Sequence, residues 1–140
     1  LGFAHTLPQT NIYTHGTLVT AMHGHLAFWG AYGMIVLAII SYALPNLTGR
    51  KLYQSTRGRA AYWLSNIGMI GMTVAFGVAG VAQVYLERKF KMDFMEVQNE
   101  ISVHFVVLIL CATMFTVGIV LYILDFYKHG RPNDEALVAN

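Results

Sequence analysis

The sequence predicts an all-α integral membrane protein with three transmembrane helices. Apolar residues make up 56% of the chain and charged residues 11%, whereas soluble domains average about 25% charged residues. Residues 26–44, 60–86 and 101–124 contain no Lys, Arg, Asp or Glu, and about 20 apolar residues are enough to span the hydrocarbon core. All nine Lys and Arg residues lie outside these three stretches. We therefore expect one membrane domain over residues 1–140, surrounded by a lipid bilayer.

Turn-forming residues and charges set the expected limits of the helices. Residues 1–16 are uncharged, polar and rich in turn residues, which predicts an outer loop. Pro45 cannot continue a helix, so the first helix is expected over residues 17–44. The second and third helices are expected over residues 60–86 and 101–127, followed by an inner tail over residues 128–140.

The second predicted helix carries an unusual number of small residues. They are Gly68, Gly71, Gly77 and Gly80, with Ala75 and Ala79 between them. Small residues let helices approach closely in lipid. We therefore expect this helix to lie between the other two.

The positive charges predict an orientation. The first loop carries Arg50, Lys51, Arg57 and Arg59 without an acid, whereas the first 49 residues carry no charge. Because cytoplasmic loops are enriched in Lys and Arg, the N-terminal end is expected outside and the C-terminus inside.

The composition also excludes some chemistry. Cys111 is the single cysteine, so no disulfide framework or thiolate metal site is available, and we expect it to pack as a small apolar residue. The net charge is +2, and no nucleic-acid partner is expected.

His23 and His25 open the first predicted helix and are its most distinctive feature. Residues i and i+2 of an α-helix lie about 200° apart and only about 3 Å apart along the axis. The two imidazoles therefore point to opposite sides and suit two separate metal centres better than one chelate. Gly24, Gly30 and Gly33 leave room for a flat macrocycle. The alternative is that both histidines hydrogen-bond to neighbouring helices.

If each histidine binds a haem, helix geometry gives the separation of the irons. With each iron roughly 7 Å from the helix axis, the two irons lie about 13–16 Å apart. His15 lies eight residues before His23, rotated by about 80°, and could contact a haem propionate, a nearby ion or the membrane interface. Asn66 and Gln83 are expected to form interhelical hydrogen bonds. His5 receives no role.

The run HGTLVTAMHGHLAFWGAYGM over residues 15–34 closely resembles the tenth helix of nitric oxide reductase cytochrome b subunits. These subunits belong to the haem-copper oxidase superfamily, which shares the His-x-His pattern. The stretch VAQVYLER over residues 81–88 is similar to a later helix of the same subunits. The resemblance implies that the chain is the C-terminal part of a bundle of about a dozen helices.

The resemblance also implies cofactors and site residues. His23 matches the proximal ligand of a high-spin haem b3 at the catalytic centre, and His25 matches an axial ligand of a low-spin haem b. His15 matches a position near the haem propionates. The implied non-haem iron is bound by residues outside this chain, so the chain alone is not expected to be active.

The resemblance further implies a reaction, partners and a location. The reaction is the reduction of two NO molecules to N2O and water in a bacterial inner membrane. The partners are the rest of the catalytic subunit and either a cytochrome c subunit or a quinol as electron donor.

Three other functions stay open at this point. The chain could belong to an oxygen-reducing member of the superfamily or to a membrane cytochrome b that only transfers electrons. It could also belong to a three-helix transport or assembly subunit without haem.

Overall fold

The computed structural model describes residues 1–47 and 56–129, and within these two ranges every regular element is a helix. Three of the helices are long and apolar enough to cross a membrane, which confirms the predicted fold class. Most of the predicted first loop and of the predicted inner tail lies outside the described residues. In chain order the helices are α1 (Gly2–Thr6), α2 (Pro8–Thr14), α3 (Leu18–Leu47), α4 (Thr56–Lys89), α5 (Phe94–Glu100) and α6 (Ser102–His129).

Helix α4 lies between α3 and α6, as its small residues predicted. Gly68 and Gly71 face α6, where side chains at these positions would meet Phe115 and Cys111. Gly77 and Gly80, nearer the C-terminal end of α4, face α3 instead. The small residues therefore allow close contact with α6 in the first part of α4 and with α3 in its second part.

The contact between α4 and α6 brings the two backbones together. A Cβ atom at Gly68 would lie 2.6 Å from the backbone nitrogen of Phe115, and one at Gly118 would lie 2.5 Å from that of Ser65. Cys111 places its Sγ 2.5 Å from where a Cβ of Gly71 would be. The cysteine thus fills the space beside a glycine, as expected of a small packing residue.

The N-terminal segment differs from the predicted loop, because residues 1–16 contain α1 and α2. Pro8 is the first residue of α2, a position where its missing N–H and fixed φ favour a helix. Leu7 is extended between the two helices, and Gly16 has a φ of +73°. These two residues fold the short helices back towards the start of α3.

The first membrane helix also differs from its prediction, since it continues through Pro45 to Leu47. A widened π-helical turn over Ile39–Ala43 ends two residues before the proline. In a regular α-helix the proline ring clashes with the carbonyl four residues back. A widened turn at this place relieves that clash, and Asn46 adds a hydrogen bond from its amide to the Tyr42 carbonyl at 2.9 Å.

The second and third membrane helices are longer than their uncharged stretches. Helix α4 spans Thr56–Lys89 where residues 60–86 were predicted, and α6 spans Ser102–His129 where 101–127 were predicted. Charged residues can continue a helix beyond the hydrocarbon core, so an uncharged stretch underestimates helix length. After α4 the chain turns at Lys91, whose φ is +58°, and enters α5.

Substitution of Gly68 by alanine tests the close contact of α4 with α6. The added methyl group would overlap the α6 backbone, and overpacking of this kind costs about 1–3 kcal/mol. We expect a lower free energy of unfolding, measured by denaturant titration in detergent micelles. Val74→Ala on the same helix is the control, because the Val74 side chain is exposed. Equal stability of the two variants would contradict this packing.

Candidate functional site: a histidine pair on the first membrane helix

His23 and His25 lie on the regular α-helical part of α3, Leu18–Ala27, and contact different neighbours. The His23 ring stacks on His5 of α1, with ring centroids 5.4 Å apart and ring planes at 28°. The His25 ring lies against Phe76 of α4, with centroids 4.9 Å apart. The two imidazoles therefore stand on separate sides of one helix, the arrangement expected from the i, i+2 spacing.

The hydrogen bond of His25 fixes which of its ring nitrogens is free. Nδ1 lies 2.8 Å from the carbonyl oxygen of Ala21, one turn earlier on the same helix. A carbonyl can only accept, so Nδ1 carries the proton and Nε2 of the neutral ring keeps its lone pair. The side chain is exposed. This tautomer and exposure suit a metal ligand that binds through Nε2.

His23 is covered by the N-terminal segment rather than by α4. A Cβ at Gly2 would lie 3.3 Å from both Cε1 and Nε2 of His23, so α1 passes close to this edge of the ring because residue 2 has no side chain. The ring is half-buried. The environments of the two histidines thus differ: one is enclosed by α1, the other is open beside α4.

His5 is a neighbour of the site that the sequence did not reveal. Its Nδ1 lies 3.1 Å from Oγ1 of Thr14, whose hydroxyl donates to the Thr10 carbonyl at 3.2 Å. The hydroxyl proton is thereby used, so His5 donates from Nδ1 and keeps a lone pair on Nε2. This buried nitrogen has no hydrogen-bond partner among the described residues. Eighteen residues separate His5 from His23, and only the turns at Leu7 and Gly16 bring them together.

His15 lies apart from the pair. It ends α2 with an extended backbone, its N–H bonds to the Asn11 carbonyl at 2.9 Å, and its side chain is exposed. Within the described residues, no hydrogen bond or ring contact joins it to either histidine of the pair.

Trp29 fixes the part of α3 that follows the histidines. It lies in a widened π-helical turn, Phe28–Gly33, and is 8% exposed. Its ring packs edge-on against Phe115 of α6, with centroids 4.9 Å apart, and its indole N–H donates to the Asn66 side chain of α4 at 3.4 Å. Trp29 therefore joins α3 to both neighbours one turn after His25, and Asn66 forms the interhelical hydrogen bond expected of it.

The surroundings of the pair suit a metal that is already held by a flat macrocycle and needs only one ligand from the protein. In residues 1–47 and 56–129, no group of three or more His, Cys, Asp or Glu side chains could hold a metal ion. His25 offers Nε2 beside α4, whereas the Nε2 edge of His23 lies against Gly2 of α1, whose added Cβ would be 3.3 Å away.

Cβ atoms at Gly24 and Gly30 would meet nothing within 4 Å, so space for a flat group is present beside them. Gly33 leaves no such space, contrary to its prediction, because a Cβ there would lie 2.5 Å from the Trp29 ring. His25 thus fits a porphyrin ligand as it stands, whereas a porphyrin on His23 needs α1 to lie elsewhere than against the Nε2 edge of that ring.

Two comparisons with known proteins show what the chain is similar to. Residues 1–114 match the model of the family described as Cytochrome C and Quinol oxidase polypeptide I. The chain is also 40% identical to a nitric oxide reductase subunit of Stutzerimonas stutzeri, over 93% of this chain. The matched region is 29% of that relative's length, so the chain spans less than a third of it.

Proposed function

Because the chain belongs to the Cytochrome C and Quinol oxidase polypeptide I family, within the haem-copper oxidase superfamily, we propose that it is part of a nitric oxide reductase. The reaction joins two NO molecules, two electrons and two protons into N2O and water. The chain would form the C-terminal part of the catalytic subunit. The pair of imidazoles on opposite sides of one helix supports the two haems, and the 40% identity to a nitric oxide reductase subunit carries the proposed reaction.

His25 is the proposed axial ligand of the low-spin haem b. Its Nδ1–H bond to the Ala21 carbonyl leaves Nε2 free and holds the ring plane against rotation. Phe76 supports one face of the ring. A hydrogen bond from the other ring nitrogen makes an imidazole a stronger ligand.

His23 is the proposed proximal ligand of the high-spin haem b3 on the other side of α3. His5 stacks on this ring and limits its rotation. When bound, the haems would supply one-electron chemistry, and the short path through α3 would pass electrons from one to the other. The non-haem iron of the catalytic centre would be held by residues outside this chain.

His15 and the surroundings of the protein belong to the same proposal. At the exposed end of α2, the His15 side chain is free to contact a haem propionate. We place the protein in a bacterial inner membrane, with the N-terminal end outside and the C-terminus inside. The electron donor would be a cytochrome c subunit or a quinol.

Replacement of each histidine tests the assignment of the two haems. In the intact membrane protein, we expect His23→Ala to abolish the haem that binds carbon monoxide and His25→Ala to abolish the low-spin haem signal. Reduced optical spectra with and without carbon monoxide measure both. His104→Ala is the matched control, since its Nδ1 bonds to the Ile101 carbonyl at 3.2 Å at the start of α6. Wild-type-like spectra of both pair variants would refute haem ligation.

The different neighbours of the two rings allow each side to be disturbed separately. Phe76→Ala removes the ring beside His25 and is expected to shift only the low-spin haem signal in electron paramagnetic resonance (EPR). His5→Ala removes the ring stacked on His23 and is expected to shift only the carbon monoxide-reactive haem. Movement of both signals by either variant would contradict two separate sides.

An oxygen-reducing enzyme is the second candidate, favoured by the oxidase description of the family that matches the chain. Metal analysis and gas assays of the intact, purified protein separate the two. A nitric oxide reductase is expected to contain non-haem iron without stoichiometric copper and to convert NO to N2O. Copper at one atom per protein, together with water formation from oxygen, would support the oxidase instead.

A further inference from the structure

Gln83 is a polar residue deep within α4 whose two amide atoms are both bonded. It is 3% exposed. Its Oε1 accepts from the backbone N–H of Leu18 on α3 at 2.9 Å, and its Nε2 donates to Glu87 at 2.8 Å. A buried amide in a membrane protein needs such partners, since lipid offers none.

The bond to Leu18 replaces a cap that α3 lacks. The first N–H groups of a helix have no partner within the helix, and a residue before it usually supplies one. Here Thr17 makes no such side-chain bond, because its hydroxyl donates to the Thr14 carbonyl at 2.7 Å. Helix α4 therefore caps the start of α3 from a position 65 residues away.

Leu18 and Glu87 together fix which way the amide of Gln83 points. Glu87 lies four residues after Gln83, hence on the same face of α4. The Leu18 N–H can only donate, so it binds Oε1, and a carboxyl oxygen of Glu87 accepts from the NH2 group on the other side of the amide. Hydrogen-bond donation therefore runs one way, from the Leu18 N–H to Gln83 and from Gln83 to Glu87.

Gly80 allows close backbone contact where the start of α3 crosses α4 near Gln83, a place called the crossing below. A Cβ at this position would overlap the backbone nitrogen of Val19, and it would lie 2.8 Å from the carbonyl carbon of Leu18. With the two backbones in contact one turn from Gln83, sliding or rotation of α3 against α4 would break the hydrogen bond. The crossing therefore sets both the height and the rotation of α3.

The histidine pair is rigidly connected to this crossing. The regular α-helix Leu18–Ala27 contains His23 and His25, about 7.5 and 10.5 Å along the axis from Leu18. The first widened turn begins at Phe28, beyond both rings. We propose that Gln83, bonded to both Leu18 and Glu87, is a positioning residue that sets where both histidines present their ligating nitrogens. This proposal rests on the proposed haem function.

The test compares variants of the intact membrane protein. Gln83→Leu keeps the volume and removes both bonds. We expect it to shift the EPR signals of both haems and to speed haem transfer to apomyoglobin by about 10-fold, the lower end of the effect of removing a supporting group behind a metal ligand. The exchange Gln83→Glu with Glu87→Gln restores an acceptor for Leu18 and a donor between positions 83 and 87. It is expected to return both signals towards wild type.

Controls separate the outcomes. Gln98→Leu on α5 is the matched substitution away from the crossing and is expected to leave both signals unchanged. If Gln83→Leu does not accumulate, Glu87→Ala decides, because it removes the partner that holds Nε2 of Gln83, loosens the bond to Leu18 and should shift both signals in the same direction.

Wild-type signals in Gln83→Leu, or in Glu87→Ala where that variant decides, would overturn the positioning role while leaving the haem assignment intact. A failure of the exchange variant to restore the signals would also overturn it. Absence of haem from the wild-type protein would instead refute the proposed function, and the positioning role with it.

Discussion

Close backbone contact between α4 and its two neighbours is the constraint on which the rest of the structure depends. In lipid, apolar side chains gain little by leaving one apolar environment for another, so helices associate through tight packing and hydrogen bonds. Gly68 and Gly118 provide that packing between α4 and α6, and Gly80 provides it towards α3. Without these contacts the helix that carries the histidines would have no fixed position.

Hydrogen bonds between the helices add to the close packing that the small residues allow. Gln83 joins α4 to the start of α3, and Asn66 joins it to Trp29 after the histidines. Further along, Tyr122 of α6 bonds to Ser41 at 2.9 Å. Helix α3 is thus tied on both sides of the His23–His25 segment, and that segment is the part with regular α-helical geometry.

Much of the fold follows from the sequence because the membrane restricts the choices. Uncharged stretches predict the existence of three helices, and the glycines of α4 predict which helix lies in the middle. The predictions are wrong where local chemistry has more than one solution. Pro8 and Pro45 both favour a break in a helix, yet one begins α2 and the other follows a widened turn.

The candidate site, too, was predictable from the sequence only in part. The separation of His23 and His25 onto two sides follows from helix periodicity alone. The contact of His5 with His23 could not be foreseen, because it depends on turns that fold α1 back across eighteen residues. The role of Gln83 was foreseen only as an interhelical bond, since its partner is a backbone N–H that no sequence pattern marks.

The two histidines depend on different parts of the chain, and this difference bears on how the proposed centre works. The His25 ring is oriented by a carbonyl of its own helix and by Phe76 of α4. The His23 ring is oriented by α1, a helix of five residues. An electron-transfer haem gains from a fixed ligand on a rigid support, because its coordination need not change. A catalytic haem gains from a proximal ligand with a separate support, because substrate binding and release change its coordination. The support that each ring receives therefore favours the proposed assignment of His25 to electron transfer and of His23 to catalysis.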